Sequence, residues 1–152
     1  MRLRQKLVAA FVLLGLLLVG APSVFADTTT VKNGTQTFVD VIPCGAPGDY
    51  LITITFNAVE HESTAANGST HETFTSTGTF TAVPVSGTGP SYTGHFTTWD
   101  GDNGNAKNAT FTATFTIHAV GSDGSRLTFH DTVHFSMSAS GLVVFFDKPH
   151  CA

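Results

Sequence analysis

Apolar and polar side chains alternate with a period of two through most of this chain. The clearest segment is Thr110–Val120, which reads TFTATFTIHAV. Every second residue from Phe111 is apolar, and the residues between them are threonine or histidine. This alternation is typical of an antiparallel strand that turns one face to a core and the other to water. It predicts a strand, and no ten-residue window beyond residue 26 has the apolar stripe of a helix.

The same pattern recurs between turn-forming sequences. Glycine, proline, asparagine, aspartate and serine fill the gaps, and every gap is short enough for a hairpin. The sequence therefore predicts an all-β fold, an antiparallel meander of six to seven strands. In addition to Thr110–Val120, the predicted strands are Tyr50–His61, Thr70–Val83, Ser91–Trp99 and Leu127–Ser138, with shorter ones at Thr35–Ile42 and Leu142–Phe146.

The N-terminal segment has the pattern of a secretory signal peptide. Three basic residues among the first six precede a 14-residue apolar run, Leu7–Gly20, which is short for a bilayer span. Val24 and Ala26 suit cleavage after Ala26. We therefore predict a signal peptide over residues 1–26 and a single secreted domain, free of membrane-spanning segments, over residues 27–152.

Charge is scarce and acidic. Charged residues make up 12% of the chain, about half the roughly 25% of an ordinary soluble domain. Loss of the predicted signal peptide removes three basic residues and no acid, which lowers the formal net charge from -4 to -7. This balance excludes nucleic-acid binding through a basic surface. No glycine-rich phosphate loop or G-x-S-x-G motif occurs, so we expect no cofactor.

Two cysteines, Cys44 and Cys151, stand near opposite ends of the predicted domain. An even pair in an oxidising compartment predicts one disulfide. Cys44 lies just before the strand that starts at Tyr50, and Cys151 lies just after the strand that ends at Phe146, so this bond would join the edges of the sheet. It favours closure into a small up-and-down barrel, and a two-sheet β-sandwich is the alternative.

Phenylalanine dominates the apolar phase. The chain contains 13 phenylalanines, and aromatic side chains suit the pleated surface of a strand. So many rings could pack a small barrel shut, or they could border a ligand pocket. The phenylalanines on the apolar side of predicted strands are Phe56, Phe74, Phe80, Phe96, Phe111, Phe115, Phe129 and Phe135.

Asp131 interrupts the apolar phase of its predicted strand. A hairpin register that pairs Ile117 with Phe129 places Asp131 opposite Phe115. Burial would raise the pKa of this carboxyl, a property that catalytic acids and bases share. Asp131, with His130 beside it, is therefore a candidate catalytic residue. The alternative is a structural carboxylate that accepts hydrogen bonds, or a bulge that turns it outward.

Two histidines are candidate ligands for a metal ion. A register centred on the Asn67-Gly68 turn would place His61 opposite His71, and such a pair could supply two ligands to zinc or copper. A third and a fourth ligand are needed, and no metal-binding motif provides them. We therefore predict no metal site, with His61 and His71 as the weak candidates. Histidines that simply face solvent are the main interpretation.

Acidic side chains and one tryptophan cluster near one predicted end of the sheet. Asp100 to Asn108 is predicted as a loop that follows Trp99, and Glu60 and Glu72 flank the Asn67-Gly68 turn. Binding residues often lie on loops that a rigid scaffold positions. We predict a binding site at this barrel mouth. Its candidate residues are Trp99, Asp100, Asp102, Glu60, Glu72 and Tyr92.

The polar phase is rich in threonine and almost free of charge. Rows of hydroxyls on several strands could bind carbohydrate, a mineral or another protein. The simpler interpretation is that threonine forms strands well on a wet face. The threonines of this phase are Thr75, Thr77, Thr79, Thr93, Thr97, Thr112, Thr114, Thr116 and Thr132.

These patterns predict a secreted, non-enzymatic β-domain, a monomer or weak oligomer. It would bind a small ligand, a carbohydrate or a protein at the barrel mouth or at the threonine and histidine face. The alternatives are a small barrel enzyme of isomerase or cyclase type that uses Asp131, and a structural or adhesive envelope protein.

N-x-S/T sequons at Asn33, Asn67 and Asn108 would be acceptor sites for glycans in a source that glycosylates secreted proteins. In outline the pattern resembles secreted up-and-down barrels such as the lipocalins, although no G-x-W sequence opens the first strand.

Overall fold

The computed structural model describes residues 26–152, and these residues form eight β-strands. Within this range there is no helix, and thus none long and apolar enough to cross a membrane. The predicted signal peptide lies outside the described residues, apart from Ala26. The strands are β1 (Asp27–Val41), β2 (Asp49–Thr64), β3 (Thr70–Pro84), β4 (Tyr92–Gly104), β5 (Asn108–Gly121), β6 (Arg126–Ser138), β7 (Gly141–Asp147) and β8 (His150–Cys151).

The eight strands form one antiparallel sheet, with the order β1-β2-β3-β4-β5-β6-β7 and with β8 paired to β6. The predicted meander of seven strands is therefore confirmed, and the two-sheet sandwich does not form. No ladder joins β1 to β7 within residues 26–152, so closure into a barrel remains a prediction. In a meander of seven strands the first and the last run in the same direction, which leaves no antiparallel ladder between them.

The register of the β5–β6 hairpin agrees with the prediction. Ile117 pairs with Phe129, and Asp131 lies opposite Phe115. The β2–β3 register differs from the prediction, because His61 pairs with Thr73 and not with His71. In the turn between these strands, the Ala65 N–H donates to the Ser69 carbonyl, which closes a five-residue turn. The length of this turn shifts the β2–β3 register by two residues from the predicted register.

The predicted loop after Trp99 is mostly strand. β4 continues to Gly104, and the turn that follows is organised by the Asn105 side chain, whose Oδ1 accepts hydrogen bonds from the N–H groups of Lys107 and Asn108 at 2.8 and 2.9 Å. Asp100 and Asp102 are therefore strand residues. Because side chains alternate along a strand, both carboxyls lie on the face opposite to Trp99.

The apolar phase of β2 to β6 forms the core on the concave face of a curled sheet. Fourteen buried residues make up this core, and Phe38, Phe74 and Phe115 pack against it. Phe38 of β1 and Phe115 of β5 border the same cavity of about 30 Å³, so strands four places apart share one interior. A cavity of this volume is close to the smallest that holds a water molecule. Around this cavity the aromatic rings fill the interior, which is the first of the two arrangements that the sequence permitted.

A glycine makes room for the curl. Gly78 of β3 lies between Phe56 of β2 and Phe96 of β4. A Cβ on Gly78 would overlap the carbonyl oxygen of Thr55 and would lie 2.9 Å from the Phe96 ring. The absent side chain lets neighbouring rings turn inward on the shorter, concave side of the sheet.

One end of the curled sheet is closed by the segment between β1 and β2. Ile42 is buried there, and the N–H of Ala46 donates to the hydroxyl of Tyr92 at 3.2 Å. The predicted disulfide is confirmed, with the Cα atoms of Cys44 and Cys151 5.8 Å apart. It joins the segment after β1 to β8, which is the only covalent tie across the open side of the sheet within residues 26–152. A disulfide is compatible with an extracellular location.

The disulfide should contribute strongly to stability, since it closes a loop of more than 100 residues in the unfolded chain. We expect the double variant Cys44→Ser, Cys151→Ser to lose about 2–5 kcal/mol of unfolding free energy in guanidinium titrations. The reduced wild-type chain serves as the control and should match the variant. A loss below about 1 kcal/mol would show that packing alone holds the curl.

Candidate functional site

The structure separates the residues predicted for the barrel mouth. Glu60, Glu72, Asp100 and Asp102 share the concave face near the end opposite the disulfide. Trp99 lies on the convex, outer face of β4. Tyr92 lies at the disulfide end, where its side chain is buried and its hydroxyl accepts the hydrogen bond from Ala46.

Trp99 is an exposed aromatic platform on the outer face. Its side chain is 40% exposed, and its indole lies along β4 over Gly101. The ring atoms Cη2 and Cζ2 are 3.1 and 3.2 Å from the position that a Cβ of Gly101 would occupy. The glycine therefore leaves room for the indole, because a Cβ at this position would crowd the ring.

Threonines flank the indole on both neighbouring strands. Trp99 and Gly101 lie in the middle of two cross-strand rows, and β3 and β5 contribute one threonine each to every row. The indole therefore has hydroxyl groups on both sides. These residues are Thr75 and Thr114 beside Trp99, and Thr73 and Thr112 beside Gly101.

A groove of about 390 Å³ lies at the end of the sheet beyond Gly101. Asn103 is the next outward-facing residue of β4, and its Oδ1 is 2.6 Å from Nδ1 of His71, which donates the hydrogen bond. None of the lining residues is lysine, arginine, aspartate or glutamate. The groove is lined by the ends of four strands and their two turns, with the residues Ser63, Ala65, Ser69, Thr70, His71, Asn103, Gly104, Asn105, Asn108, Ala109 and Thr110.

Three histidines of the outer face contact threonine hydroxyls. Nδ1 of His61 is 2.8 Å from Oγ1 of Thr28, and Nδ1 of His134 is 2.8 Å from Oγ1 of Thr112. His130 contacts Thr116 in the same way, at 3.0 Å. Among residues 26–152 no three histidine, cysteine, aspartate or glutamate side chains are arranged to hold a metal ion. The outer face is therefore a network of hydroxyl and imidazole groups.

The acidic cluster on the concave face is electrostatically strained. Burial, and then repulsion from Glu60 and the other nearby acids, raises the pKa of Glu72 to about 7. Burial, followed by repulsion from Glu60 and Asp102, raises the pKa of Asp100 to about 6. Burial also raises the pKa of Asp102. Near neutral pH this end of the sheet therefore holds part of its acidic groups protonated.

Asp131 has a partner that the sequence did not indicate. Burial raises the pKa of Asp131, and the charge of the neighbouring Asp147 raises this pKa further. Oδ1 of each carboxyl is buried and has no hydrogen-bond partner. We therefore expect Asp131 to keep its proton more readily than an ordinary aspartate and to donate it to Asp147. His130, the second candidate, points to the outer face and contacts Thr116.

No protein-family model, curated protein or solved structure matches this chain, so the site rests on its own geometry. Two of its features were missed by sequence reasoning. The spacing of Trp99 and Gly101, two residues apart on one strand face, could have indicated the seated indole. No local signal could have indicated the pairing of Asp131 with Asp147, because it depends on how β7 packs beside β6.

The acidic cluster should make stability depend on pH. The carboxyl of Glu72 ionises less readily in the folded chain than in the unfolded chain, so stability should fall as pH rises from about 4.5 to about 7. We expect Glu72→Gln to match the wild type at pH 4 and to exceed it at pH 8 by about 1 kcal/mol, a value reduced by solvent screening. Denaturant titrations at both pH values measure this difference.

The control for this experiment is Asp49→Asn, which alters an exposed carboxyl at the opposite end of the sheet. It should leave the pH dependence unchanged. Equal pH profiles for Glu72→Gln and the wild type would contradict the electrostatic strain.

The shared proton of Asp131 and Asp147 leads to a second pH prediction. The folded chain holds the proton more tightly than the unfolded chain, so the pair should cost stability as pH rises above the ordinary range of aspartate. Asp131→Asn keeps a donor for Asp147 without a proton to lose, and its melting temperature should exceed that of the wild type at pH 8 but not at pH 3. Asp131→Ala, which leaves Asp147 without a donor, should not show this gain. If the pH dependence of Asp131→Asn equals that of the wild type, the carboxyls do not share a proton.

Proposed function

We propose that this chain is a secreted, non-enzymatic β-domain that binds carbohydrate on the outer face of its sheet. The observation that carries the proposal is the exposed indole of Trp99 over Gly101, on the same strand face as Asn103 of the neighbouring groove. Rigid strands hold both parts, so little order has to be gained on binding.

The two parts match the two chemical characters of a sugar. The C–H face of a pyranose ring packs well on an exposed aromatic ring. Sugar hydroxyls need both donors and acceptors, and asparagine amides, threonine hydroxyls and imidazole supply both. Asn103, Asn105 and Asn108 bring amide groups to the groove, and Thr70 and Thr110 bring hydroxyls.

The dimensions suit a short oligosaccharide. Trp99 and Asn103 are four residues apart on one strand, so their Cα atoms are separated by about 13 Å. The indole extends towards Gly101 and covers part of this distance. A chain of about two or three sugar units would span the platform and the groove.

The charge of the surface favours a neutral glycan. The chain has a formal net charge of -4, and no lysine or arginine lines the groove. A sulfated or uronic acid-rich glycan would find no cation at this site, and an acidic protein repels it at long range. The disulfide and the predicted signal peptide support secretion, which would bring the domain to extracellular glycans.

The enzymatic alternative has weaker geometric support. A general acid or base must reach its substrate within hydrogen-bond distance. Oδ1 of Asp131 and Oδ1 of Asp147 are both buried, and the cavity beside Phe115 holds about 30 Å³. We therefore assign this carboxyl pair to the structure of the sheet edge.

Binding should depend on the indole. We expect Trp99→Ala to weaken binding to a neutral oligosaccharide at least tenfold in isothermal titration calorimetry, because one well-packed aromatic contact contributes about 1.4 kcal/mol or more. Trp99→Phe should retain part of the affinity. His118→Ala, an exposed outer-face change further down the sheet, is the matched control. A panel of neutral glycans that shows no binding, or binding that survives Trp99→Ala, would refute the proposal.

The position of the indole can be tested separately. Gly101→Val would insert an isopropyl group, the Cβ and two methyls, beneath the ring and push the ring away from the strand. Affinity should fall although Trp99 is still present, and the indole fluorescence should shift to the red as the ring becomes more exposed. Unchanged affinity in a folded Gly101→Val variant would show that binding does not depend on the position of the indole over Gly101.

A further inference from the structure

β7 is an exposed sheet edge with unusual chemistry. It pairs with β6 on one side and ends the hydrogen-bonded order on the other. Four consecutive apolar residues on it are exposed, with Leu142 at 62%, Val143 at 64%, Val144 at 43% and Phe145 at 61%. Elsewhere the large exposed apolar residues occur singly or at every second position.

Both faces of β7 are apolar. Phe145 lies opposite Phe135 on the concave face, and Val144 lies opposite Ser136 on the outer face. An edge strand that faced water on one side would alternate apolar with polar residues, as the other strands do. The bulge at Val143 adds one more apolar side chain and does not introduce a charge. The strand thus has the composition of a strand that is covered on both faces.

The opposite edge of the sheet is protected. β1 contains Lys32 and the acids Asp27 and Asp40, and its ladder is interrupted between Val31 and Gly34, where Asn33 has a φ of 55°. Charges and bulges of this kind prevent edge-to-edge pairing. Residues 141–146 contain neither lysine nor proline nor any charge. An incoming strand would therefore meet a blocked edge at β1 and an open one at β7.

We propose that β7 pairs with β7 of a second copy of this chain, in antiparallel orientation, to form a symmetric dimer with a continuous sheet. Self-pairing brings the same surface together twice, as two-fold symmetry requires. The uncharged segment 141–146 avoids repulsion between like charges, which an acidic chain would meet at most other contacts. The proposal is independent of carbohydrate binding.

The area agrees with a weak dimer. The four exposed side chains present roughly 400 Å² per copy, the size of the largest apolar patch on a typical monomer. Two patches and the strand backbones would bury on the order of 1,000 Å², near the lower limit for specific interfaces. We therefore expect a dissociation constant in the range of about 1 to 100 µM.

Sedimentation equilibrium of the purified chain, with its disulfide intact, tests the proposal over protein concentrations from about 1 to 500 µM. A reversible monomer–dimer equilibrium is the expected result. Amide hydrogen exchange in residues 141–147 should slow as the dimer forms, whereas β1 should be unaffected. A monomer at every concentration, or protection of β1 in place of β7, would overturn the proposal, as would open-ended oligomers.

Single substitutions locate the contact. Val144→Lys and Phe145→Lys place a charge on either face of β7 and should weaken dimerisation at least tenfold. Both side chains are substantially exposed, so the folded monomer should persist, as near-ultraviolet circular dichroism can verify. Val120→Lys, at another exposed valine of the outer face, is the matched control. A dimer that withstands both β7 changes would place the interface elsewhere.

Discussion

Strands β2 to β6 each have one apolar face, and the described chain has only one sheet with which to cover it. In residues 26–152 there is neither a helix nor a second sheet to lie over the phenylalanine face. The sheet must therefore curl until it buries that face against itself. Gly78 provides room on the concave side, and the disulfide between Cys44 and Cys151 holds the open side together. Every other feature of the molecule follows from this curl.

The curl divides polar residues into two chemically different populations. Carboxyls that fall in the inward phase, such as Glu72, Asp100 and Asp131, lie among apolar groups and their own like charges, and their pKa values rise. Residues in the outward phase meet water and one another, as Thr112 and His134 do. The outer face therefore presents mainly hydroxyl, amide and imidazole groups held on strands.

The number of strands leaves the molecule with two edges of different character. An antiparallel meander of seven strands cannot join its first strand to its last by an antiparallel ladder. β1 carries charges and an interrupted ladder that protect it, whereas β7 is apolar and continuous with the aromatic face. The apolar residues of β7 lie outside the buried core and form a surface that a single copy leaves exposed.

The sequence by itself determined the elements and their faces. A period of two is a local property, so it predicted the strands, the inward phenylalanines, the β5–β6 register around Asp131 and, with two cysteines, the disulfide. Only the tertiary structure decided the features that depend on turn lengths and on contacts between distant segments. The β2–β3 turn made Thr73, and not His71, the cross-strand partner of His61. The extension of β4 placed Asp100 and Asp102 on the face opposite Trp99. The packing of β7 beside β6 brought Asp147 close to Asp131. Alternation fixes which side of a strand a residue occupies, but it does not fix which residue of the next strand stands beside it.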